Sequence, residues 1–300
     1  MSFSNIVLRD LVSDPASLHR LTRTWLPRDE SPTSRTSLTN WLQKDPGFNS
    51  TVKLEWAETA TRPNLVAKSL IRAYAIVAEI PPSRLVRLPN RNEEGVTELA
   101  IWRNVRGSRT PLEFEDMALW LIRETGRDDE SPIFPYIRSL PTLMDFYYHH
   151  PVFWTQKKLL EEANARERKE IEHLQLEILE GWAIVERSVV SKLRKMSICP
   201  ALVNCFGLAS YTWAFLVILT RAWTLKSGTQ VLAPFLDMIN HDKERGNQAS
   251  EITVTGEQIP ILRLVNGPNL IFPGQEVFGS YGTDEAHFFA RYGFRPRTSR

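Results

Sequence analysis

Apolar positions along this chain change their period twice. Over residues 52–88 they alternate, with Val52, Leu54 and Trp56 on one side of an extended segment, and residues 75–80 form a short apolar run that Pro81-Pro82 ends. Both stretches predict strands, because successive β side chains point to opposite faces. Over residues 111–223 the spacing becomes three and four. Phe114, Met117, Ala118, Leu121 and Ile122 share one face, and a longer stripe runs through Ile171, Leu174, Ile178, Trp182, Val185, Val189 and Leu193. A helix repeats about every 3.6 residues, so each set predicts a helix with one apolar face. The charged run at residues 161–172 reads as a solvated helix face, with a coiled-coil partner surface as the alternative. Residues 206–219 are the most apolar stretch, interrupted by Ser210 and Thr212, too short for a bilayer and therefore a buried helix.

From residue 232 onward short strand-like runs return at 232–236, 252–254, 259–264, 270–272 and 276–280. Asn266-Gly267-Pro268-Asn269 and Pro273-Gly274 separate two of them as turns. Strands, then helices, then strands predict an α+β domain with a helical insertion rather than an alternating βαβ fold. The sequence contains no internal repeat and no low-complexity tract.

Composition narrows the function classes. The 300 residues suffice for a large core in one or two domains. A formal net charge of +2 carries no concentrated basic stripe, so no nucleic-acid partner is expected. Two cysteines, Cys199 and Cys205, exclude a disulfide framework and a cysteine-rich zinc cluster. Asp10, Asp14 and Asp29 interrupt the N-terminal stretch where a secretory signal needs an apolar segment. A cytoplasmic or nuclear protein without membrane attachment is the expectation. The Arg, Ser and Thr up to Thr39 leave organellar import as the lesser alternative. His149-His150 is read as two adjacent strand positions on opposite faces with no carboxylates nearby, so no metal site is expected. Asp128-Asp129-Glu130 reads as an exposed loop and His173 as a surface or half-buried residue. No P-loop, dinucleotide fingerprint or Gly-x-Ser-x-Gly elbow is present.

Three short motifs near the C-terminal end carry the candidate chemistry: Leu-Asp-Met-Ile-Asn-His at residues 236–241, Gly-Ser-Tyr-Gly at 279–282 and Tyr-Gly-Phe at 292–294. In this order they resemble the core of SET-domain protein methyltransferases, in the Rubisco large-subunit methyltransferase-like branch that also includes the actin-histidine methyltransferases. Asn40-Trp41-Leu42, Leu65-Val66-Ala67 with Glu79-Ile80-Pro81, and Ser131-Pro132 through Leu140-Pro141 extend the resemblance to roughly residues 38–296. It implies a SET-type β-rich fold split by a large helical insertion: an N-terminal extension at 1–38, SET parts at 39–95 and 206–300, and the insertion at 96–205.

The same resemblance implies S-adenosyl-L-methionine as cofactor and a protein substrate with a lysine or histidine acceptor, acted on by a monomer. It gives Tyr281 the catalytic role of orienting the acceptor nitrogen. It assigns Arg62, Asn64, Arg221, Asp237, Met238, Asn240, His241, Ser280 and Gly282 to the cofactor, and Tyr292 and Phe294 to the substrate channel. Such chemistry needs a neutral amine brought in line to a sulfonium methyl, oxygens to orient it and aromatic walls to exclude water. Two departures stand out. Arg62-Pro63-Asn64 replaces the family's Gly-x-Gly loop, and the stretch from Tyr281 to Tyr292 is shorter than usual and lacks the customary Ser-Asn. With Arg300 as the last residue, the expected chain lacks the C-terminal substrate-binding domain of many relatives. A catalytically inactive SET-like binding module is the first rival reading, and a helical scaffold pairing through the stripe from Ile171 to Leu193 is the second.

Overall fold

The computed structural model describes residues 8–9, 32–55, 64–87, 113–195, 205–242, 244–252, 260–281 and 285–295. Contacts divide the chain into two units, each assembled from separated stretches. One comprises Ser31–Arg87, Arg221–Asp284 and Arg295–Arg300; the other comprises Met1–Glu30, Leu88–Thr220 and Glu285–Phe294. Helices and small sheets together make the fold α+β, as the order of patterns predicts.

The first unit holds the strands. Helix α1 (Pro32–Gln43) precedes β1 (Asn49–Ser50), β2 (Val52–Glu55), β3 (Asn64–Ala67) and β4 (Ile76–Ile80). Later in the chain come β5 (Ala222–Thr224), β6 (Gln230–Leu232), β7 (Asn240–His241), β8 (Gln248–Ile252), β9 (Ile261–Val265) and β10 (Phe278–Gly279). Four strands form an antiparallel sheet in the order β1-β4-β9-β8. Along β9 the alternation is direct: Leu262 and Leu264 are buried between half-buried neighbours. Arg263 lies opposite Glu79 on β4 and donates to it from Nε at 2.8 Å, a cross-strand charge pair worth roughly 0.2–1 kcal/mol. The β2–β3 pair buries Leu65, Val66 and Ala67. On the other edge of β3, the Val277 amide donates to the Leu65 carbonyl at 2.7 Å and the Ala67 amide to the Gln275 carbonyl at 2.9 Å. β7 and β10 pair in parallel, with Asn240 opposite Phe278 and His241 opposite Gly279.

The second unit is helical: α2 (Glu113–Gly126), α3 (Phe134–Ile137), α4 (Leu143–His149), α5 (Gln156–Glu162), α6 (Ala165–Val185), α7 (Ser191–Lys195), α8 (Leu208–Arg221, whose last residue belongs to the strand unit) and α9 (Glu285–Tyr292). The long stripe is buried at Ile171, Leu174, Ile178, Val185, Val189 and Leu193. A π-turn over Glu186–Val190 joins α6 to α7. It changes the winding by one residue and leaves Val189, Val190 and Leu193 inside. α8 is buried throughout Ala209 to Ile218, as its uninterrupted apolarity predicts. Gly181 of α6 is where Tyr211 of α8 comes close: a Cβ there would stand 2.3 Å from the phenol oxygen. Phe289 and Ala290 of α9 share a core cluster with Trp154, Leu159, Ala163 and Ile171.

Several sequence expectations change here. His149 ends α4 and His150 follows it as cap, so the pair is not in a strand. The Thr142–Asp145 capping box starts a helix there that Phe146, the side chain packed edge-on to His150, anchors. The charged run at 161–172 is not one helix face, because α5 stops at Glu162 and Asn164 caps α6. Glu167 is buried as the partner in that capping box, its carboxylate accepting from the Asn164 amide at 2.8 Å. The run at 232–236 ends as strand at Leu232 and gives way to a 3-10 turn at Leu236–Met238. The run at 270–272 contributes one bridge, Ile71 to Ile271, before Pro273 and Gly274 turn the chain. Burial of the stripe also removes the helical-scaffold reading, since the fold has already covered the face a partner helix would need. Among the described residues no helix is long and apolar enough to cross a membrane. Among the same residues no group of three or more His, Cys, Asp or Glu is placed to hold a metal ion.

Candidate active site

The corner formed by β7 and β10 gathers most of the singled-out residues of the strand unit. It begins with a strained residue: Phe235 has φ 81 and ψ −51, near the values of a γ-turn. Phe235 is nonetheless fully buried, with Phe48 set edge-on against it at 5.5 Å. Packing therefore holds the bend that starts the Leu236–Met238 turn. Asp237 and Met238, on that turn, are buried.

Arg221, at the end of α8, reaches the turn. One terminal guanidinium nitrogen donates to the Asp237 carbonyl at 2.8 Å and stands 3.6 Å from the Asp237 carboxylate. Arg221 and Asp237 thus form a largely buried ion pair. The pair fixes the backbone two residues before Ile239.

The turn delivers Ile239, Asn240 and His241. Parallel pairing with β10 requires close approach, and Gly279 permits it: a Cβ there would lie 2.9 Å from Ile239 Cγ2. Two residues beyond Gly279, Tyr281 folds back over the corner. Its amide donates to His241 Nδ1 at 3.1 Å, and the two rings lie 5.3 Å apart, tilted by 37°. Its hydroxyl donates to the Ile239 carbonyl in a short hydrogen bond. The phenol thus stands one residue from the Asn240-His241 pair, which is the juxtaposition the motifs imply. Ser280 is exposed, and its amide donates to the Asn247 carbonyl at 3.1 Å.

Tyr281 also fixes the His241 tautomer. A ring nitrogen that accepts an amide N–H carries no proton, so the neutral ring is protonated at Nε2. Burial pushes the imidazole below its ordinary pKa, opposed by a hydrogen bond with the Gly279 backbone and by the charge of Asp242. Asp242 itself lies below the usual carboxylate range. Burial raises it, but hydrogen bonds from the Arg245 side chain and from the Arg245 and Glu244 amides, with the Arg245 charge, outweigh that.

Asn240 is held through its side chain. Nδ2 donates to Asn64 Oδ1 at 3.0 Å and to Glu276 Oε1 at 2.7 Å. Asn64, which stands where the resemblance expects a glycine, thus joins the corner through its amide. Arg62 and Gly282 lie outside the described residues. Tyr292 and Phe294 belong to the helical unit, where they surround Phe288 at centroid distances of 4.7 and 5.0 Å. Burial raises the Tyr292 phenol pKa, and Arg291 opposes it. Gly293 between them has φ +78 and ends α9, and His150 Nε2 hydrogen-bonds the Arg291 carbonyl at 3.0 Å.

One contributor lay outside the motifs, and one lay inside them without a role assigned to it. Glu276 reads as an ordinary strand acid, and Ile239 acts through its carbonyl, which side-chain patterns do not report.

No family model matches the chain, and no curated protein gives a significant match. Solved structures do match. The SET domain of LSMT bound to lysine and AdoHcy aligns with a TM-score of 0.68 at 20% identity, over 90% of this chain and 58% of that one. The same domain bound to methyl-lysine and AdoHcy gives 0.69 at 19% identity, over 89% and 58%. Rubisco LSMT bound to AdoMet gives 0.65 at 20% identity, over 88% and 57%. The chain therefore has the SET-domain fold, and it spans under three fifths of the length of these solved chains.

Proposed function

We propose that this chain is an S-adenosylmethionine-dependent protein methyltransferase that methylates a lysine side-chain nitrogen of a protein substrate. The observation that carries the reading is the Tyr281 hydroxyl on the Ile239 carbonyl, beside the Asn240-His241 corner. The fold supports it, because solved SET domains of this fold hold lysine or methyl-lysine with AdoHcy. On this reading residues 96–205 are an insertion between SET parts at 39–95 and 206–300. Tyr292 and Phe294 keep the channel role, and Arg221, Asp237, Met238, Ser280, Arg62, Asn64 and Gly282 keep their cofactor roles, as parts of the proposal.

The donor and acceptor set fits such a cofactor. Asn240 spends both amide hydrogens on Asn64 and Glu276, which leaves its Oδ1 as an acceptor suited to a cationic amine. The chemistry the cofactor supplies is a methyl on a sulfonium: nitrogen gains the carbon, and sulfur keeps the electron pair of the broken bond as a thioether. A carbonyl oxygen has two lone pairs, so Ile239 accepts from an incoming N–H while Tyr281 remains close. The phenol oxygen accepts a second. Two acceptors fix the direction of the nitrogen lone pair, which is the positioning that in-line transfer requires. They also stabilise the positive charge that develops on a neutral amine as it is alkylated. Burial favours entry of the amine in its neutral form, its proton having gone to solvent.

Calorimetric titration with S-adenosylmethionine and S-adenosylhomocysteine tests the cofactor, and absence of binding up to about a millimolar removes the proposal. Incubating a proteome with the protein and labelled methyl donor, followed by mass spectrometry, tests the acceptor. Label on lysine supports the reading, label on histidine replaces the acceptor, and binding without transfer leaves a SET-like binding module.

A further inference from the structure

We propose that Glu276 is a positioning residue that sets the polarity of the Asn240 side chain, so that the corner presents an oxygen, not an N–H group, to its ligand. The inference rests on the cofactor reading above and adds a residue to it. An asparagine amide has two nearly isosteric orientations, with oxygen and nitrogen exchanged. A carboxylate accepts hydrogen bonds and donates none, so Glu276 tolerates only the orientation that points Nδ2 at it. The Nδ2 to Oε1 distance of 2.7 Å is that of a charge-assisted bond. Asn64 Oδ1, at 3.0 Å, takes the second hydrogen. Asn64 alone does not decide the orientation, because its own amide can turn over to donate. Glu276 can only accept, and therefore dictates the arrangement.

The placement of Glu276 is firm. Its backbone bridges Val66 of β3, and both its neighbours hydrogen-bond to that strand: the Val277 amide to Leu65 at 2.7 Å, and the Ala67 amide to Gln275 at 2.9 Å. The carboxylate therefore sits on a paired segment and Asn240 on a paired strand. Two backbone ladders, not flexible side chains, set their separation. With both N–H groups spent, Oδ1 remains, and among the described residues it accepts from none. A ligand approaching Oδ1 gains only if it brings a donor. The chemical class is an ammonium, such as the amino-acid end of S-adenosylmethionine or its thioether product, and the nearby carboxylate strengthens that preference.

The experiment compares two ligands by calorimetry: S-adenosylhomocysteine, which carries the ammonium, and 5′-methylthioadenosine, which lacks the amino-acid end. Glu276→Leu is expected to weaken the first by about tenfold to a hundredfold, the range for a charged hydrogen bond, and to leave the second unchanged. Glu276→Gln, whose amide can turn over and donate as that of Asn64 can, is expected to lose most of the same preference, because it no longer dictates the orientation. In an Asn240→Ala background the effect of Glu276→Gln or Glu276→Leu is expected to vanish, since Glu276 acts through Asn240. This cycle with the near-isosteric glutamine keeps the test available if the leucine variant does not fold. Equal loss for both ligands, an unchanged ratio, or a Glu276 effect that survives in Asn240→Ala would overturn the proposal. Failure of the unsubstituted protein to bind either ligand would instead remove the cofactor reading beneath it.

Discussion

At the scale of single residues, Tyr281 does three things from one position: its amide fixes the His241 tautomer, its ring stacks at a tilt on the imidazole, and its hydroxyl occupies the Ile239 carbonyl. Only the last depends on the oxygen. Tyr281→Phe is therefore expected to keep the fold and cofactor affinity while lowering the turnover number about a hundredfold or more, the scale for losing one oriented polar group. Steady-state methyl transfer beside calorimetric binding checks it, and full turnover in the variant would remove the assigned role. His241 gives a pH signature. Its pKa is lowered in the folded state, so the unfolded chain binds the proton first as pH falls below about 6.5. Stability is then full above that value and declines as pH drops through the folded pKa. The melting-temperature advantage of the unsubstituted protein over His241→Leu is expected to shrink between about pH 7 and about pH 5. An imidazole titration followed by NMR with a midpoint above 6.5 would contradict the assignment. The motif residues of this corner were legible because Asp237 to His241 and Gly279 to Tyr281 are contiguous runs. Glu276 was not, since its role depends on a contact with Asn240 across 36 positions. A carboxylate flanked by Gln275 and Val277 looks in sequence like any solvated strand residue.

At the scale of elements, the helical period between Ile171 and Leu193 translated directly into burial, because that stripe depends only on the repeat of the helix. The π-turn at Glu186–Val190 did not show in the spacing, since an extra residue per turn leaves the apolar positions three or four apart. Nor did the helix break at Ala163-Asn164, which a capping box decides and a charge pattern conceals. Close approach of helices is similarly hidden. Tyr211 lies fully buried against Gly181, and its hydroxyl has no hydrogen-bond partner among the described residues. Burial and the charges of Glu115 and Glu177 push this phenol far above its ordinary pKa, so it stays neutral and only its unmet hydrogen bond matters. Tyr211→Phe is expected to be neutral or stabilising by about 1 kcal/mol, because it removes an unsatisfied buried group. Gly181→Ala is expected to destabilise by roughly 1–3 kcal/mol, since its Cβ would meet the phenol oxygen at 2.3 Å. Combining the two substitutions recovers part of the loss, as the next contact, to the ring Cζ, is 3.2 Å. Chemical denaturation of the two single variants and the double variant checks the non-additivity. Additive effects would mean that helix and tyrosine do not meet.

At the scale of the whole molecule, neither unit is a continuous stretch of sequence, and the last described helix belongs to the helical one. The chain passes through the Asn240, His241 and Tyr281 corner and then supplies α9, whose Phe289 and Ala290 join Trp154, Leu159, Ala163 and Ile171 in one cluster. Trp154 and Phe289 meet edge-on at 5.6 Å. Arg291 of the same helix donates from Nε to the Leu219 carbonyl at 2.7 Å, and its own carbonyl bonds His150. The helical unit is thus completed only after the strand corner has been made, across separations of 141 positions for His150 and 72 for Leu219. Such long-range closure slows folding, because loop entropy is lost before the contacts repay it. Ending the chain after Asp284 would uncover the Trp154 and Ile171 surfaces that Phe289 and Ala290 bury. Removing one aromatic from a core already costs about 3–5 kcal/mol. The shortened chain is therefore expected to lose cooperative melting of its helices and to bind a hydrophobic dye, as circular dichroism and dye fluorescence would show. Phe289→Ala, a milder change at the same cluster, is expected to lower the melting temperature while leaving the β7–β10 pairing intact. Amide exchange read at Tyr281 and Asp242 reports that pairing separately. Unchanged helical melting in both variants would show that α9 does not hold the unit together.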